Sequence, residues 1–287
     1  MDKHSYTAVL LLACPDRRGL VSEISSFIFN NGGNILSLNE HVGIEDNSFF
    51  LRVEWDITNF DIIESSFENA FSPLADRFSA NWNLYYTGRK TRAAIFVSKY
   101  DHCLREILWR TSMNEFSMEV PVIISNSPDQ KIVADRYGIP FYLFLVTKEN
   151  KPEVELKEKA LMKEFDIDTI ILARYMQVLS PAFVNNFPNR IINIHHSFLP
   201  AFAGSNPYRQ AYDKGVKIIG ATSHYVTKEL DEGPIIDQDI ARISHKDTVH
   251  DLIRKGRDLE RLVLSRAVRF HTEHRILVHG KKTVVFD

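Results

Sequence analysis

The chain has 287 residues and a formal net charge of -2, and 44% of its residues are hydrophobic. These values suit a globular protein of about two domains. The balanced charge gives no indication of a nucleic-acid or membrane-surface partner, and no stretch approaches the roughly 20 apolar residues that span a bilayer. Only two cysteines occur, Cys14 and Cys103. Their number excludes a disulfide framework and makes the cytoplasm the expected compartment.

Strand and helix patterns alternate in the first part of the chain. A β-branched and leucine-rich run predicts a buried strand from Tyr6 to Cys14. Helical spacing of apolar residues follows from Leu20 and again from Asp61. Three further strands are predicted at 34–43, 48–56 and 82–86. This order is the ferredoxin-like βαββαβ pattern, so we predict a first domain at residues 1–86.

Residues 87–92 form a polar linker, after which the pattern changes. Short apolar strands then alternate with amphipathic helices up to a long helix from Thr248 towards His274. The strands are predicted at 93–97, 121–125, 141–146, 169–172 and 191–194, with a closing pair at 218–226 and 235–242. Alternation of this kind predicts a Rossmann-like, mostly parallel α/β sheet. We therefore assign residues 93–287 to a second domain.

A candidate catalytic group lies at the end of the strand that contains Asn193 and His195. Open parallel sheets carry their chemistry at the carboxyl ends of strands, and strand alternation puts these two side chains on one face. An amide beside an imidazole can polarise a carbonyl oxygen and transfer a proton. Asp231, in a turn-rich loop at 227–234, could orient His195, favour its protonated form and hold a water.

Several long motifs resemble the folate-dependent formyltransferase family. They are Asn193–Phe202, His224–Thr227 and Leu230–Pro234. Three more stretches resemble formyltetrahydrofolate deformylases within that family, namely Ser98–Leu104, Leu172–Ser180 and Gly204–Tyr208. The resemblance covers nearly the whole chain. It implies that the first domain is an ACT domain and the second a formyltransferase-like catalytic domain.

The resemblance also implies a reaction. The substrate is expected to be 10-formyltetrahydrofolate, hydrolysed to formate and tetrahydrofolate, and the formate would supply one-carbon and purine metabolism. Asn193 would bind the formyl oxygen, His195 would stabilise the oxyanion and transfer protons, and Asp231 would position the attacking water. No cofactor is expected. A metal held by His195, His224 and Asp231 is geometrically possible, but this chemistry does not need a Lewis acid.

The resemblance places the folate against two loops. The expected folate-binding residues are Arg174, Tyr175, Met176, Gln177, Val178, Leu179, Lys228, Glu229 and Leu230. In the family, such loops contact the pterin largely through main-chain groups. The alternative is that the apolar members simply pack the core. His196 and His224 are expected to support the catalytic residues, and Cys103 to be a buried structural side chain.

Formyl transfer to an amine such as glycinamide ribonucleotide is the alternative activity. A phosphorylated acceptor needs a glycine-rich turn after the first strand of the domain. Residues 96–102 contain no glycine and include an acid. A tRNA acceptor would need a basic appended domain. Water is therefore the expected acceptor.

A second alternative is an amino-acid sensor. The residues Asp16, Gly19, Leu20, Asn34 and Ile35 resemble the ligand-binding edge of ACT domains. Asp16 could bind an ammonium group, and backbone groups near Asn34 a carboxylate, with glycine or methionine as the expected effector. Otherwise the domain only joins subunits by sheet pairing. Either role predicts a homo-oligomer formed through ACT domains.

Overall fold

The computed structural model describes residues 6–200 and 207–286. The chain divides into two compact units. The first contains the residues up to Lys90 together with Glu273–His279 and the residues from Thr283 on, and the second contains Thr91–Thr272 and Gly280–Lys282. Within the described ranges, no helix is both long enough and apolar enough to cross a membrane.

The first unit contains a four-stranded antiparallel sheet in the order β2-β3-β1-β4. Its elements are β1 (Thr7–Pro15), α1 (Leu20–Asn30), β2 (Asn34–Gly43), β3 (Ser48–Asp56), α2 (Glu64–Phe78) and β4 (Asn81–Tyr86). The predicted βαββαβ order is present. Helix α2 begins three residues later than predicted because the backbone N–H of Asp61 donates to the Asn31 carbonyl, 2.9 Å away, in the turn after α1.

Aromatic side chains fill the core of this unit. Trp55 of β3 is fully buried, as are Phe67 and Phe71 of α2 at less than 2% exposure. Phe27 of α1 packs edge-on against both phenylalanines, with ring centroids at 6.0 and 5.3 Å. The buried apolar area of these rings is the main favourable term that holds the unit together.

A C-terminal hairpin that the sequence analysis missed belongs to the first unit. It consists of β12 (Ile276–His279) and β13 (Lys282–Val285). Leu277 and Phe286 form a buried cluster with Leu11 and Phe50. The assignment of the whole C-terminal end to the second domain was therefore wrong, because these apolar side chains are buried with those of β1 and β3.

The second unit contains a seven-stranded sheet in the order β11-β10-β9-β8-β5-β6-β7. Its strands are β5 (Thr91–Val97), β6 (Met118–Ser125), β7 (Phe141–Leu143), β8 (Thr169–Leu172), β9 (Ile191–His195), β10 (Ile218–Tyr225) and β11 (Ile235–Arg242). The helices are α3 (His102–Ser112), α4 (Lys131–Tyr137), α5 (Lys151–Glu164), α6 (Pro181–Val184), α7 (Pro207–Asp213) and α8 (Val249–Thr272). The strands from β5 to β9 are parallel, whereas β10 runs antiparallel to both of its neighbours, β9 and β11. The parallel-dominated α/β architecture is as predicted.

Strand β5 begins at Thr91, so the last two residues of the predicted linker are part of the sheet. The N–H of Thr91 donates to the Ser117 carbonyl, 3.0 Å away. The N–H of Arg92 donates to a carboxylate oxygen of Asp168, 2.8 Å away. Polar residues had indicated a hinge here, but at the start of the strand their backbone groups have partners within the second unit.

The chain changes direction across the sheet between β5 and β8. It passes first to β6 and β7 on one side of β5, and then to β8 and β9 on the other. Such a switch point leaves a crevice at the carboxyl ends of the strands. The loops after β5 and β8 meet there: the Ser98 N–H donates to the Arg174 carbonyl at 3.2 Å, and the Met176 N–H donates to Ser98 Oγ at 2.9 Å.

Candidate active site

Strand β9 carries two of the predicted catalytic residues beside a histidine of β10. Asn193 pairs with His224 across the antiparallel ladder, and His195 pairs with Thr222. Directly paired residues of neighbouring strands share a face of the sheet, and so do residues two apart on one strand. Asn193, His195 and His224 therefore lie on one face.

The loop between β10 and β11 brings Asp231 to this face. Asp231 has a left-handed backbone with φ of 56°, which aspartate tolerates better than most side chains do. Two residues later the chain passes so close to β10 that a Cβ on Gly233 would lie 1.7 Å from the Tyr225 carbonyl oxygen. The Tyr225 N–H also donates to the Pro234 carbonyl, 2.9 Å away. Only glycine fits at this crossing.

Asp231 contacts both histidines. Its Oδ2 lies 3.2 Å from His195 Nδ1, and its Oδ1 lies 3.5 Å from His224 Nε2. Burial disfavours the charged carboxylate. The contacts with the two imidazoles, first among them the hydrogen bond from His195, outweigh that effect, however, and hold the pKa of Asp231 well below its usual range. The carboxylate is therefore ionised at neutral pH, and it fixes the ring of His195.

Hydrogen bonds also fix the amide of Asn193. His224 Nδ1 lies 3.0 Å from the Tyr225 carbonyl oxygen, which can only accept, so Nδ1 carries a proton. In the neutral ring, His224 Nε2 is then an acceptor, and Asn193 Nδ2 lies 3.2 Å from it. One amide hydrogen of Asn193 is thus directed to His224, and the amide nitrogen carries a second.

The other ring nitrogen of His195 has no hydrogen-bond partner among the described residues. Its Nε2 is buried and makes no hydrogen bond within the described part of the chain, while the whole residue is 7% exposed. A buried polar atom without a partner is unfavourable unless a ligand completes it. The imidazole can therefore donate to, or accept from, a molecule bound beside Asn193.

His196 follows His195 and lies close to it, with ring centroids 5.2 Å apart. Burial, and then the positive charge of Arg174, lower the pKa of His196 to about 4. The ring is neutral at physiological pH. It can support His195 by packing without adding a competing cation.

The expected folate-binding residues after β8 divide into exposed and buried side chains. Met176 and Val178 are 54% and 56% exposed. Tyr175 and Leu179 belong to the apolar core of the unit, and the Tyr175 hydroxyl donates to Glu158 at 3.1 Å. Gln177 is half-buried. The alternative reading of the apolar residues as core thus holds for Tyr175 and Leu179, whereas Met176 and Val178 present apolar surface to the solvent.

Arg174 also points inward. It is 8% exposed, has φ of 64°, and lies with its Nε 3.4 Å from Glu260 of α8. In the second expected loop, Lys228, Glu229 and Leu230 are all exposed, Leu230 at 66%. Residues 201–206, which include part of two family-like motifs, lie outside the described ranges.

Sequence reasoning missed a buried polar cluster next to this site. Glu260 is 1% exposed and binds His102 and Tyr208 as well as Arg174. The signal was an acid between Leu259 and Val263 in the apolar stripe of α8. Within the described residues, His102, Cys103 and Glu260 have ligand atoms within 4.8 Å of one another and could hold a metal ion. Glu260 already has three partners, and burial raises the pKa of the Cys103 thiol.

The five expected effector residues lie in the first unit but not at one place. Asp16 follows the end of β1, where its N–H donates to the Asn47 carbonyl at 2.7 Å. Asn34 pairs with Asp56, which pairs in turn with Thr7 at the start of β1. Asp16, Gly19 and Leu20 are therefore at one end of the sheet, and Asn34 and Ile35 at the other. One chain does not bring them into a single site.

Comparison with known proteins identifies the class. Residues 91–268 match the formyl transferase family. This part of the chain contains the parallel sheet and the Asn193, His195 and Asp231 group. The chain is 53% identical to a formyltetrahydrofolate deformylase of Synechocystis sp. over 98% of each chain. A crystal structure of a formyltetrahydrofolate deformylase from Pseudomonas syringae pv. tomato superposes with a TM-score of 0.96 at 40% identity, covering 100% of this chain and 96% of that one. This chain belongs to the formyltetrahydrofolate deformylase family.

A transferase has the same fold in its catalytic part. The glycinamide ribonucleotide transformylase 1 of Symbiobacterium toebii is 31% identical, with a TM-score of 0.66, and covers 71% of this chain and 98% of its own. The shared part is thus smaller than with the deformylases.

Proposed function

We propose that this chain hydrolyses 10-formyltetrahydrofolate to formate and tetrahydrofolate at the Asn193, His195 and Asp231 site. The observation that carries the proposal is how the two ring nitrogens of His195 are hydrogen-bonded. Asp231 holds Nδ1 at 3.2 Å, and the buried Nε2 has no hydrogen-bond partner among the described residues. Carboxylate, imidazole and amide together can bind a carbonyl oxygen and transfer a proton next to it.

In this mechanism the formyl oxygen accepts a hydrogen bond from Asn193 Nδ2. The oxygen of a water, positioned by Asp231, forms a bond to the formyl carbon as the water gives one proton to His195 Nε2, and negative charge develops on the formyl oxygen. The ionised Asp231 stabilises the imidazolium that forms, whose Nε2–H donates to the oxyanion. The bond from the formyl carbon to N10 then breaks as His195 gives this proton to N10, and the formic acid released ionises to formate. Formate and tetrahydrofolate leave.

The folate would bind over the exposed apolar side chains of Met176, Val178 and Leu230. These residues offer apolar surface on the two loops beside the catalytic face. The other members of the expected set, Arg174, Tyr175, Gln177, Leu179, Lys228 and Glu229, would contribute main-chain groups or shape the loops. Formate produced in this way would supply one-carbon and purine metabolism, and the two free, buried thiols suit a reducing cytoplasm.

The decisive experiment uses purified protein and 10-formyltetrahydrofolate alone. We expect stoichiometric release of formate and tetrahydrofolate without any amine. If formyl release occurred only after glycinamide ribonucleotide was added, the chain would be a transferase.

We further infer that the first unit is an ACT-type domain through which copies of the chain associate. Its β2 and β4 are edge strands, whose free backbone groups can pair with another copy. Because Asp16 and Asn34 lie at opposite ends of the sheet, an amino-acid effector such as glycine or methionine would need residues from two copies. The particle mass in solution and a thermal-shift titration with both amino acids test this. A monomer without a shift at millimolar ligand would contradict it.

A further inference from the structure

A second set of polar side chains, buried or half-buried, lies beside the proposed catalytic residues. Strands β5, β8 and β9 are parallel neighbours, so the residues that follow them meet at one edge of the sheet. They contribute His102, Arg174 and His196. Helix α8 adds Glu260, and α7 adds Tyr208. We name His102, Arg174, Tyr208 and Glu260 the Glu260 cluster.

Glu260 is the centre of this cluster. Its Oε2 lies 2.7 Å from His102 Nε2 and 3.4 Å from Arg174 Nε, and its Oε1 accepts from the Tyr208 hydroxyl at 2.5 Å. The approach of Tyr208 requires Gly256, because a Cβ there would lie 2.1 Å from the hydroxyl oxygen. Side chains from α3, α7 and the loop after β8 therefore all contact Glu260.

The cluster is also charged. Burial disfavours the ionised form of Glu260, but the hydrogen bond from His102 and the charge of Arg174 prevail and lower its pKa. A buried ion pair contributes little net stability compared with apolar side chains of the same volume. Its presence at this point in the fold therefore calls for another role.

The cluster adjoins the catalytic histidine. The His196 ring lies 5.2 Å from the His195 ring and 6.3 Å from the Tyr208 ring. Apart from burial, four charged or ionisable groups shift the pKa of His196: Arg174, Glu260, His195 and Asp231. The His196 ring thus lies between His195 and Tyr208 of the cluster.

We infer that the Glu260 cluster fills the space through which an amine acceptor would reach the formyl carbon, so that water is the only nucleophile admitted. This inference rests on the proposed hydrolysis. A transformylase has to admit an amine beside the formyl group, and in this fold a phosphorylated amine would be held after the first strand of the sheet. Here that loop leads into His102, and its Tyr100 ring centroid lies 5.8 Å from the Arg174 guanidinium carbon. Arg174 is the specificity-determining residue, since its buried side chain closes the cluster on the β8 side.

The test measures how the formyl group divides between water and an added amine. Protein with a ¹³C-labelled formyl substrate is incubated with increasing glycinamide, and formate and N-formylglycinamide are quantified by NMR. Wild type should give formate alone at every amine concentration. Arg174→Ala should give N-formylglycinamide in proportion to the amine. Arg266 lies on α8, like Glu260, and forms a partly exposed ion pair with Asp237 and Asp239 of β11. Arg266→Ala is therefore the matched control and should behave as wild type.

Arg174→Ala alone leaves the Glu260 carboxylate buried without its cation and is expected to weaken folding. The double variant Arg174→Ala/Glu260→Gln removes both charges and carries the same prediction. If the folded variants still send every formyl group to water, or lose both reactions, the inference is wrong. A further arm needs no variant: competitive inhibition of wild-type hydrolysis by glycinamide ribonucleotide would show an open acceptor site and also overturn it. Absence of formate release by wild type would instead refute the proposed function itself.

Discussion

Oδ2 of Asp231 lies 3.2 Å from Nδ1 of His195, although one residue lies in a loop and the other at the end of a strand. Strand β9 supplies the imidazole, and the connection between β10 and β11 supplies the carboxylate. The contact exists because the β10–β11 connection folds back over β10 at Gly233. The predictions below follow from this relationship and from the packing around it.

Asp231→Asn should keep the shape of the site but lose the negative charge that supports a protonated His195. Because general acid–base catalysis typically contributes about 10²–10⁴-fold, we expect kcat to fall on that scale. Formate release by the folded variant is the measurement. Asp239→Asn, on β11, is the control and should keep full activity. If kcat of Asp231→Asn fell by less than about threefold, the carboxylate would have no role in general acid–base catalysis.

Asn193→Ala should remove one hydrogen-bond donor to the formyl oxygen. Loss of one preorganised oxyanion donor typically lowers turnover about 10²–10³-fold. The effect should be on kcat more than on KM, because the bond strengthens as the oxyanion forms. Steady-state kinetics with 10-formyltetrahydrofolate measure both constants. An unchanged kcat with a raised KM would assign Asn193 to substrate binding alone.

Gly233→Ala should displace the loop that carries Asp231. An added Cβ would lie 1.7 Å from the backbone oxygen of Tyr225, which has no freedom to move aside. The loop must open, and the contact between Asp231 and His195 should lengthen. We expect a loss of turnover comparable to that of Asp231→Asn. Gly138→Ala, whose Cβ would meet nothing within 4 Å, is the glycine control for activity: its φ of 66° strains an alanine at the end of α4 and should lower stability but not turnover. Full activity in Gly233→Ala would show that the loop geometry is not required.

Glu158 should make the free energy of unfolding depend on pH. Burial raises the pKa of Glu158 from 4.5 to about 7, against a hydrogen bond from Tyr175. A raised carboxyl pKa means that the folded state holds the proton more tightly. The stability it contributes is therefore complete below pH 4.5 and is lost as the pH rises through about 7. The shift corresponds to about 3 kcal/mol.

Denaturant unfolding at several pH values checks this prediction. Glu158→Gln should remove the pH-dependent loss. The free energy of unfolding of the variant, relative to wild type, should therefore rise by up to about 3 kcal/mol between about pH 5 and pH 8. Glu164→Gln, an exposed acid at the end of the same helix α5, should follow the wild-type curve. Parallel curves for wild type and Glu158→Gln would mean that Glu158 titrates normally.

Leu277→Ala should destabilise the first unit. Leu277 is 8% exposed and packs with Leu11, Phe50 and Phe286. Truncation of a buried leucine to alanine typically reduces the free energy of unfolding by about 2–5 kcal/mol. Ile44→Ala is the control, because Ile44 is 92% exposed and should change little. Equal stability of both variants would show that the C-terminal hairpin does not contribute to the core of this unit.

Apolar periodicity predicted most of the elements because burial on one face of a strand or helix leaves a local pattern. The βαββαβ order of the first unit and the mostly parallel sheet of the second followed from it. The hairpin at Ile276–Val285 was missed because its strands have only four residues each, too few for a clear apolar pattern. The burial of Leu277 depends on contacts with Leu11 and Phe50, which are distant in sequence. The linker boundary was wrong for a similar reason: the hydrogen-bond partners of Thr91 and Arg92 are distant in sequence.

The sequence by itself determined the two domain architectures, the family resemblance and the three candidate catalytic side chains, because strand alternation and motif spacing are local properties. Only the tertiary structure decided that Arg174 turns inward to Glu260, that Asp16 and Asn34 lie at opposite ends of one sheet, and that the C-terminal hairpin belongs to the first unit. Each of these depends on which residues meet across the fold. A local pattern records that a side chain is buried or charged, but the identity of its partner is set by the packing of distant elements.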